Sequence, residues 1–225
     1  MRASVALLLA TVLLGACQSA EVRDGRFVRF FDELTFGSGA DGAGDKRAVV
    51  RRWEGPLVWS AAGSEPFQEA VAARMAAIAA IAGRDADRVG EDGDIRITQD
   101  PVGTTYPVQD NLTSCFARVV YGGDQIIRVR IRIAEETPER VVRCIDHEMM
   151  HGLGFLSHSA AIASVMSPLH TQERLSRWDI MAIRALMSER LAAGTSRETA
   201  LAEVARLLPD LRAFADTQAG GLRAD

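Results

Sequence analysis

TPERVVRCIDHEMMHGLG, residues 137–154, reads as a helix with two unlike faces. Thr137 offers an N-cap and Pro138 takes the first helical position, where a missing N–H costs nothing. Gly152 or Gly154 offers the stop. At about 100° per residue from His147, the side chains of Val141, Ile145, Met149, Val142 and Leu153 fall between roughly 120° and 240°. They form one apolar stripe for a core. His151 lies near ~40° and Glu148 near ~100°, so two imidazoles and a carboxylate share the other side. One turn apart, both imidazoles can reach one zinc ion, and Glu148 beside the open position can take a proton from bound water. The chain has 4 histidines, and at that composition H-E-x-x-H is expected by chance only about 0.004 times.

The segment after the helix extends the cluster. Gly154 can turn the chain back, and Phe155-Leu156-Ser157-His158 then brings up a third imidazole. Three protein nitrogens plus a water is the arrangement of a catalytic zinc with an open position. His158 is the expected third ligand, with Glu173 and His170 as the competing donors. Ser164-Val165-Met166-Ser167-Pro168 is a tight apolar turn, and Ser176 with Asp179 forms a capping box opening another helix.

Upstream, Cys115–Tyr121, Gly122-Gly123-Asp124 and Gln125–Ala134 form a hairpin signal. In its second run Ile127, Val129, Ile131 and Ile133 alternate with Arg128, Arg130 and Arg132. The arginine row reads as the solvated face of a sheet, with binding of acidic substrates as the alternative. Leu57-Val58-Trp59 and Asp94–Thr98 are further strands. Glu65–Ala82 has Phe67, Val71, Met75, Ile78 and Ile81 at helical spacing and is ended by Gly83. Phe27–Phe36 suits a short helix laid on the domain, and Ser196–Phe214 carries Leu201, Val204, Leu207, Leu208 and Leu211 for core packing. The expected fold is α+β: a small mixed twisted sheet, a helix bearing H-E-x-x-H, and a mostly helical C-terminal part.

Composition bounds the rest. The 225 residues are 48% hydrophobic, enough for a core, with 26 basic and 30 acidic residues interleaved. The absence of a basic field disfavours nucleic acid as partner. Met1-Arg2, the apolar run Val5–Leu14 and Gly15-Ala16-Cys17 read as an export signal, too short to span a membrane at about 20 residues. Leu14-Gly15-Ala16-Cys17 resembles the bacterial lipobox, which implies lipidation of Cys17 and anchorage of the domain to a membrane. By resemblance to sorting rules, Gln18 after the cysteine leans toward the outer membrane, facing the periplasm. Cys115 and Cys144 remain, and an even pair in an exported protein is most simply a disulfide. Cys144 also sits near ~60° on the wheel, facing the metal side. As a fourth ligand it would close the site and make the zinc structural. The expected organisation is a signal peptide at 1–16; a lipidated tether, short helix and Gly-rich linker at 17–48; a catalytic-type domain at 49–192; and a helical extension at 193–225.

Taken together, His147-Glu148-x-x-His151-x-x-Gly154, His158-Ser159, Ser164-Val165-Met166-x-Pro168 and Leu175-Ser176-x-x-Asp179-Ile180 resemble the metzincin zinc endopeptidases, most closely their matrixin-like branch. The resemblance implies a zincin-like fold, one Zn²⁺ held by His147, His151 and His158, Glu148 as general base, Met166 in the turn beneath the metal, and a peptide or protein substrate. One departure stands out: three residues, not two, separate Gly154 from His158. Phe36-Gly37-Ser38 and Arg52-Trp53-x-Gly55-Pro56 also resemble a bacterial family of exported domains of unassigned function. The expected function is a membrane-anchored zinc metallopeptidase. The alternatives are a zincin-fold envelope scaffold that holds metal but cleaves nothing, and a zinc amidase acting on cell-wall peptides.

Overall fold

Alternation of β-branched and charged side chains makes Gln125–Ile133 the strand on which the sheet is assembled. The computed structural model describes residues 22–37, 48–108, 111–169 and 172–221. The signal peptide, Cys17, the Gly-rich linker beyond Gly37 and His170 lie outside the described residues. In chain order the elements are α1 (22–36), β1 (Arg52–Trp53), β2 (Leu57–Ala62), α2 (Glu65–Ala82), β3 (Ala86–Arg88), β4 (Ile95–Gln99), β5 (Tyr106–Val108), β6 (Asn111–Thr113), β7 (Cys115–Gly122), β8 (Gln125–Ile133), α3 (Pro138–Leu153), α4 (Arg177–Leu186) and α5 (Arg197–Gly221). This is a mixed α/β architecture compatible with the α+β expectation.

The sheet is mostly parallel. β8 pairs in parallel with β4 on one edge, β4 with β2, and β2 with β3, while β1 joins β8 at Gln125–Ile126. β7 lies antiparallel on the other edge of β8 and ends the sheet there. The N–H of Ala134 donates to the Ser114 carbonyl at 2.8 Å. Hydrogen-bonded pairs alternate along an antiparallel ladder, so the N–H and C=O groups of Cys115, Ala117 and Val119 point off the free edge. β5 and β6 form a separate short hairpin beside it.

One sheet face supplies the core. Leu57, Trp59, Ile95, Ile97, Val129, Ile131 and Ile133 are buried with Phe67, Val71, Met75, Ile78 and Ile81 of α2 and Val141, Ile145, Met149 and Leu153 of α3. Gly83 ends α2 in the left-handed region at φ 65°. The hairpin departs from strict alternation. A register shift between Val120 and Tyr121 makes Ile126, not Ile127, the inward residue, and Ile127 is left 50% exposed. Such a bulge turns every side chain beyond it to the other face. Thr137 holds the N-cap position of α3 without a side-chain hydrogen bond, and Pro138 at the first helical position leaves one fewer unpaired N–H in the first turn. α4 has the full Ser176/Asp179 capping box. α1 is part of the core, with Phe27, Phe30, Phe31 and Leu34 fully buried, and α5 packs Val204, Leu208 and Leu211 inward.

One ionic contact ties α2 to α3. The Arg74 Nε donates to Asp146 Oδ1 at 2.7 Å with both side chains buried, and Leu175 N–H donates to the same carboxylate. Burial pushes Asp146 up to about 6 while Arg74 pulls it down. Removing one member of a buried pair strands the other. Arg74→Ala is expected to destabilise the fold by about 3–5 kcal/mol in denaturant titration. A cost under about 1 kcal/mol is what an exposed pair would give, and that outcome would refute a buried role.

Candidate metal centre

His147 and His151 stand one turn apart on the side of α3 away from its apolar stripe, and His158 comes from the loop beyond it. The three rings form a near-equilateral triangle with centroids 5.0, 5.1 and 5.1 Å apart. One nitrogen from each lies within 4.8 Å of the others, an arrangement that could hold a metal ion. The Nδ1–H of His147 donates to the Val165 carbonyl at 2.8 Å and that of His151 to the Phe155 carbonyl at 2.7 Å. These bonds fix the tautomer and leave both Nε2 lone pairs directed into the triangle. The Nε2 atoms of His147 and His158 are 3.2 Å apart. Two nitrogens at about 2.0–2.1 Å from a tetrahedral ion stand about 3.3 Å apart. The donor set fits a metal. Burial pushes His147 down to about 4, which keeps the ring neutral near pH 7 and able to ligate.

The longer spacer to His158 is absorbed by backbone and by α1. Gly154 ends α3 at φ 130° with its N–H on the Met150 and His151 carbonyls. A β-carbon there would collide with the Arg51 carbonyl, so only glycine fits. Phe155 is fully buried edge-on to Phe31 of α1, ring centroids 6.2 Å apart. The N–H groups of Leu156 and Ser157 both donate to the Leu34 carbonyl, at 2.8 and 3.1 Å. Ser159 Oγ donates to Glu33 Oε2 at 2.6 Å. The residues on either side of His158 are thus fastened to one turn of α1. Beneath, Ser159 N–H donates to the Met166 carbonyl, and Met166 is fully buried. Val165, whose carbonyl holds His147, receives its own anchor from Asp179 Oδ2 at 3.2 Å. Burial pushes Asp179 up to about 6 against the hydrogen bonds of Ser176.

Glu148 is buried beside the triangle and accepts a hydrogen bond from the outward N–H of Ala117 on β7; burial pushes its carboxyl up to about 8. A cleft of about 750 Å³ opens over these groups, walled by β7 residues Ala117 and Val119, by Phe155, Leu156 and Pro168, and by Asn111 and Thr113 of the β5–β6 hairpin. Arg143 also lines it. Residues 25–209 match a family described as proteins of unknown function, DUF2927. The chain belongs to that family. No curated protein matches it.

Within this DUF2927 domain, the structure brings His147, Glu148, His151 and His158 together and places Met166 in the turn that carries Val165. Glu173 is exposed and stands outside the histidine cluster. Cys144 is not a fourth ligand: its sulfur bonds to Cys115. That disulfide joins β7 to α3 across a separation of 29 residues. Replacing both cysteines by serine is expected to cost about 3–4 kcal/mol in unfolding experiments, on the chain-entropy account. An unchanged midpoint would show that the β7–α3 contact needs no covalent tie. The residues that hold His158 from α1, Glu33 and Leu34, are invisible as site residues in the sequence. Leu34 acts through its carbonyl, which no side-chain pattern advertises.

Proposed function

We propose that this domain is a zinc-dependent peptidase of zincin-like fold, hydrolysing peptide bonds in the cleft between β7 and α3. The observation that carries the proposal is the convergence of three imidazoles, two with tautomers fixed for ligation, beside a buried carboxylate. A zinc ion held by His147, His151 and His158 supplies Lewis acidity toward a water and the scissile carbonyl. The edge of β7 offers the Ala117 carbonyl and the backbone groups of Val119 to an extended peptide, which can add there as another strand. Burial alone favours the protonated carboxyl, and a cation held by the three imidazoles would favour the carboxylate; in that form Glu148 would take the proton of the attacking water and pass it to the leaving amine. By the same proposal the export signal is removed and lipid at Cys17 holds the domain to the outer membrane. Among the described residues, no helix is long and apolar enough to cross a membrane.

Metal analysis of the folded protein tests this directly. About one zinc per chain is expected, together with peptide hydrolysis that a chelator abolishes and zinc restores. Folded protein that takes up no zinc at all removes the proposal.

A further inference from the structure

We propose that the open face of the sheet is a docking surface for the phosphate groups of an anionic lipid bilayer. The arginine row of β8 does not stand alone. Arg96 of β4 is the direct neighbour of Arg130, and Arg118 of β7 is its neighbour on the other edge. Three guanidinium side chains therefore lie side by side on adjacent strands, at a strand spacing of about 4.8 Å. Arg128 and Arg132 extend the same face along β8, opposite Val120 and Phe116. Like charges placed directly across a sheet destabilise it, and a chain of net charge −4 has gathered five of them here.

Local acids neutralise only part of this field. Arg132 is paired with Asp100, and Arg130 donates to the Gly93 and Asp94 carbonyls with the Asp92 and Asp94 carboxylates close by. Among the described residues, Arg96, Arg118 and Arg128 have no ion pair or hydrogen bond. Val120 and Ile127, 36% and 50% exposed, stand beside Arg128. Guanidinium forks match phosphate oxygens, and exposed aliphatic side chains among them suit a headgroup layer. Arg118, Arg128 and Arg132 are exposed and Arg96 and Arg130 half-buried; they are spread along three strands, not gathered around a pocket, which favours a sheet of headgroups over a single small anion. α2 and α3 pack against the opposite face, and the cleft runs along the β7 edge rather than over the arginine row. The proposal needs neither metal nor hydrolysis and stands apart from the peptidase reading.

The test uses the mature chain from Gln18 onward, which carries neither the apolar export signal nor an acyl group, with vesicles of phosphatidylglycerol or of phosphatidylcholine. Binding to the first and not the second, weakening as salt is raised, is expected. Arg96→Gln, Arg118→Gln and Arg128→Gln together should weaken it about a hundredfold, at roughly fivefold per basic residue near the surface. Equal binding of both vesicles, binding indifferent to salt, or a folded triple variant that binds like the wild type overturns the proposal. Capture of soluble polyphosphate without any vesicle binding also overturns it. If the triple variant melts early, the salt series on the wild type still decides.

Discussion

Glu148→Gln is expected to keep about one zinc per chain and to lower peptide hydrolysis by about 10²- to 10⁴-fold, the range for losing a general base. Glutamine has nearly the same shape, and its carbonyl oxygen can still accept the Ala117 N–H that the carboxylate takes now. The three nitrogen donors come from His147, His151 and His158, so the metal set is untouched. What the substitution removes is a buried carboxyl beside the triangle able to take up and release a proton. Metal content by mass spectrometry and turnover on a broad peptide library separate the possibilities. A variant as active as the wild type would mean that Glu148 is not the base. A wild type that is folded, metal-loaded and inert on every peptide would instead make the domain a metal-holding scaffold.

Much of the site is legible in the sequence because its parts are local. The side chains of His147, Glu148 and His151 are positioned by helix geometry alone, and helical periodicity is the strongest pattern a sequence carries. The Ser176/Asp179 box, the Gly83 stop and the β7–β8 turn are equally local. The disulfide comes from counting cysteines in a chain read as exported. The parallel order of β4, β2 and β3 is not legible, since it depends on crossovers that no short pattern encodes. Two-residue β1 and three-residue β3, β5 and β6 are too short for any periodicity to register. Ile127 departs from its expected side because a bulge breaks the period of two without leaving a glycine or proline at the break. The arginine face is only half visible: alternation marks Arg128, Arg130 and Arg132, but Arg96 and Arg118 join them only through strand pairing.

The spacer between Gly154 and His158 makes the last expectation the most discriminating. A third ligand carried by a loop is only as well placed as the contacts that fix the loop, and here two kinds come from α1. Backbone contacts run from Leu156 and Ser157 to the Leu34 carbonyl, and a side-chain contact runs from Ser159 to Glu33. Glu33→Ala removes the second kind alone. Its other partner, Arg29, is 73% exposed and returns to water at little cost. Ser159, buried, loses its acceptor, and the segment holding His158 gains freedom that metal binding must then take away. Zinc affinity is expected to fall by about 10- to 100-fold, as for partners that orient metal ligands from outside the ligand set. Glu33→Gln, which keeps an acceptor for Ser159, should recover most of that loss. Competition titration against a chromogenic chelator, at a temperature where both variants are folded, measures it. Should Glu33→Ala bind zinc as tightly as the wild type, the loop is held without the Glu33 contact, and the burial of Phe155 against Phe31 with the Leu34 carbonyl bonds suffices to place His158.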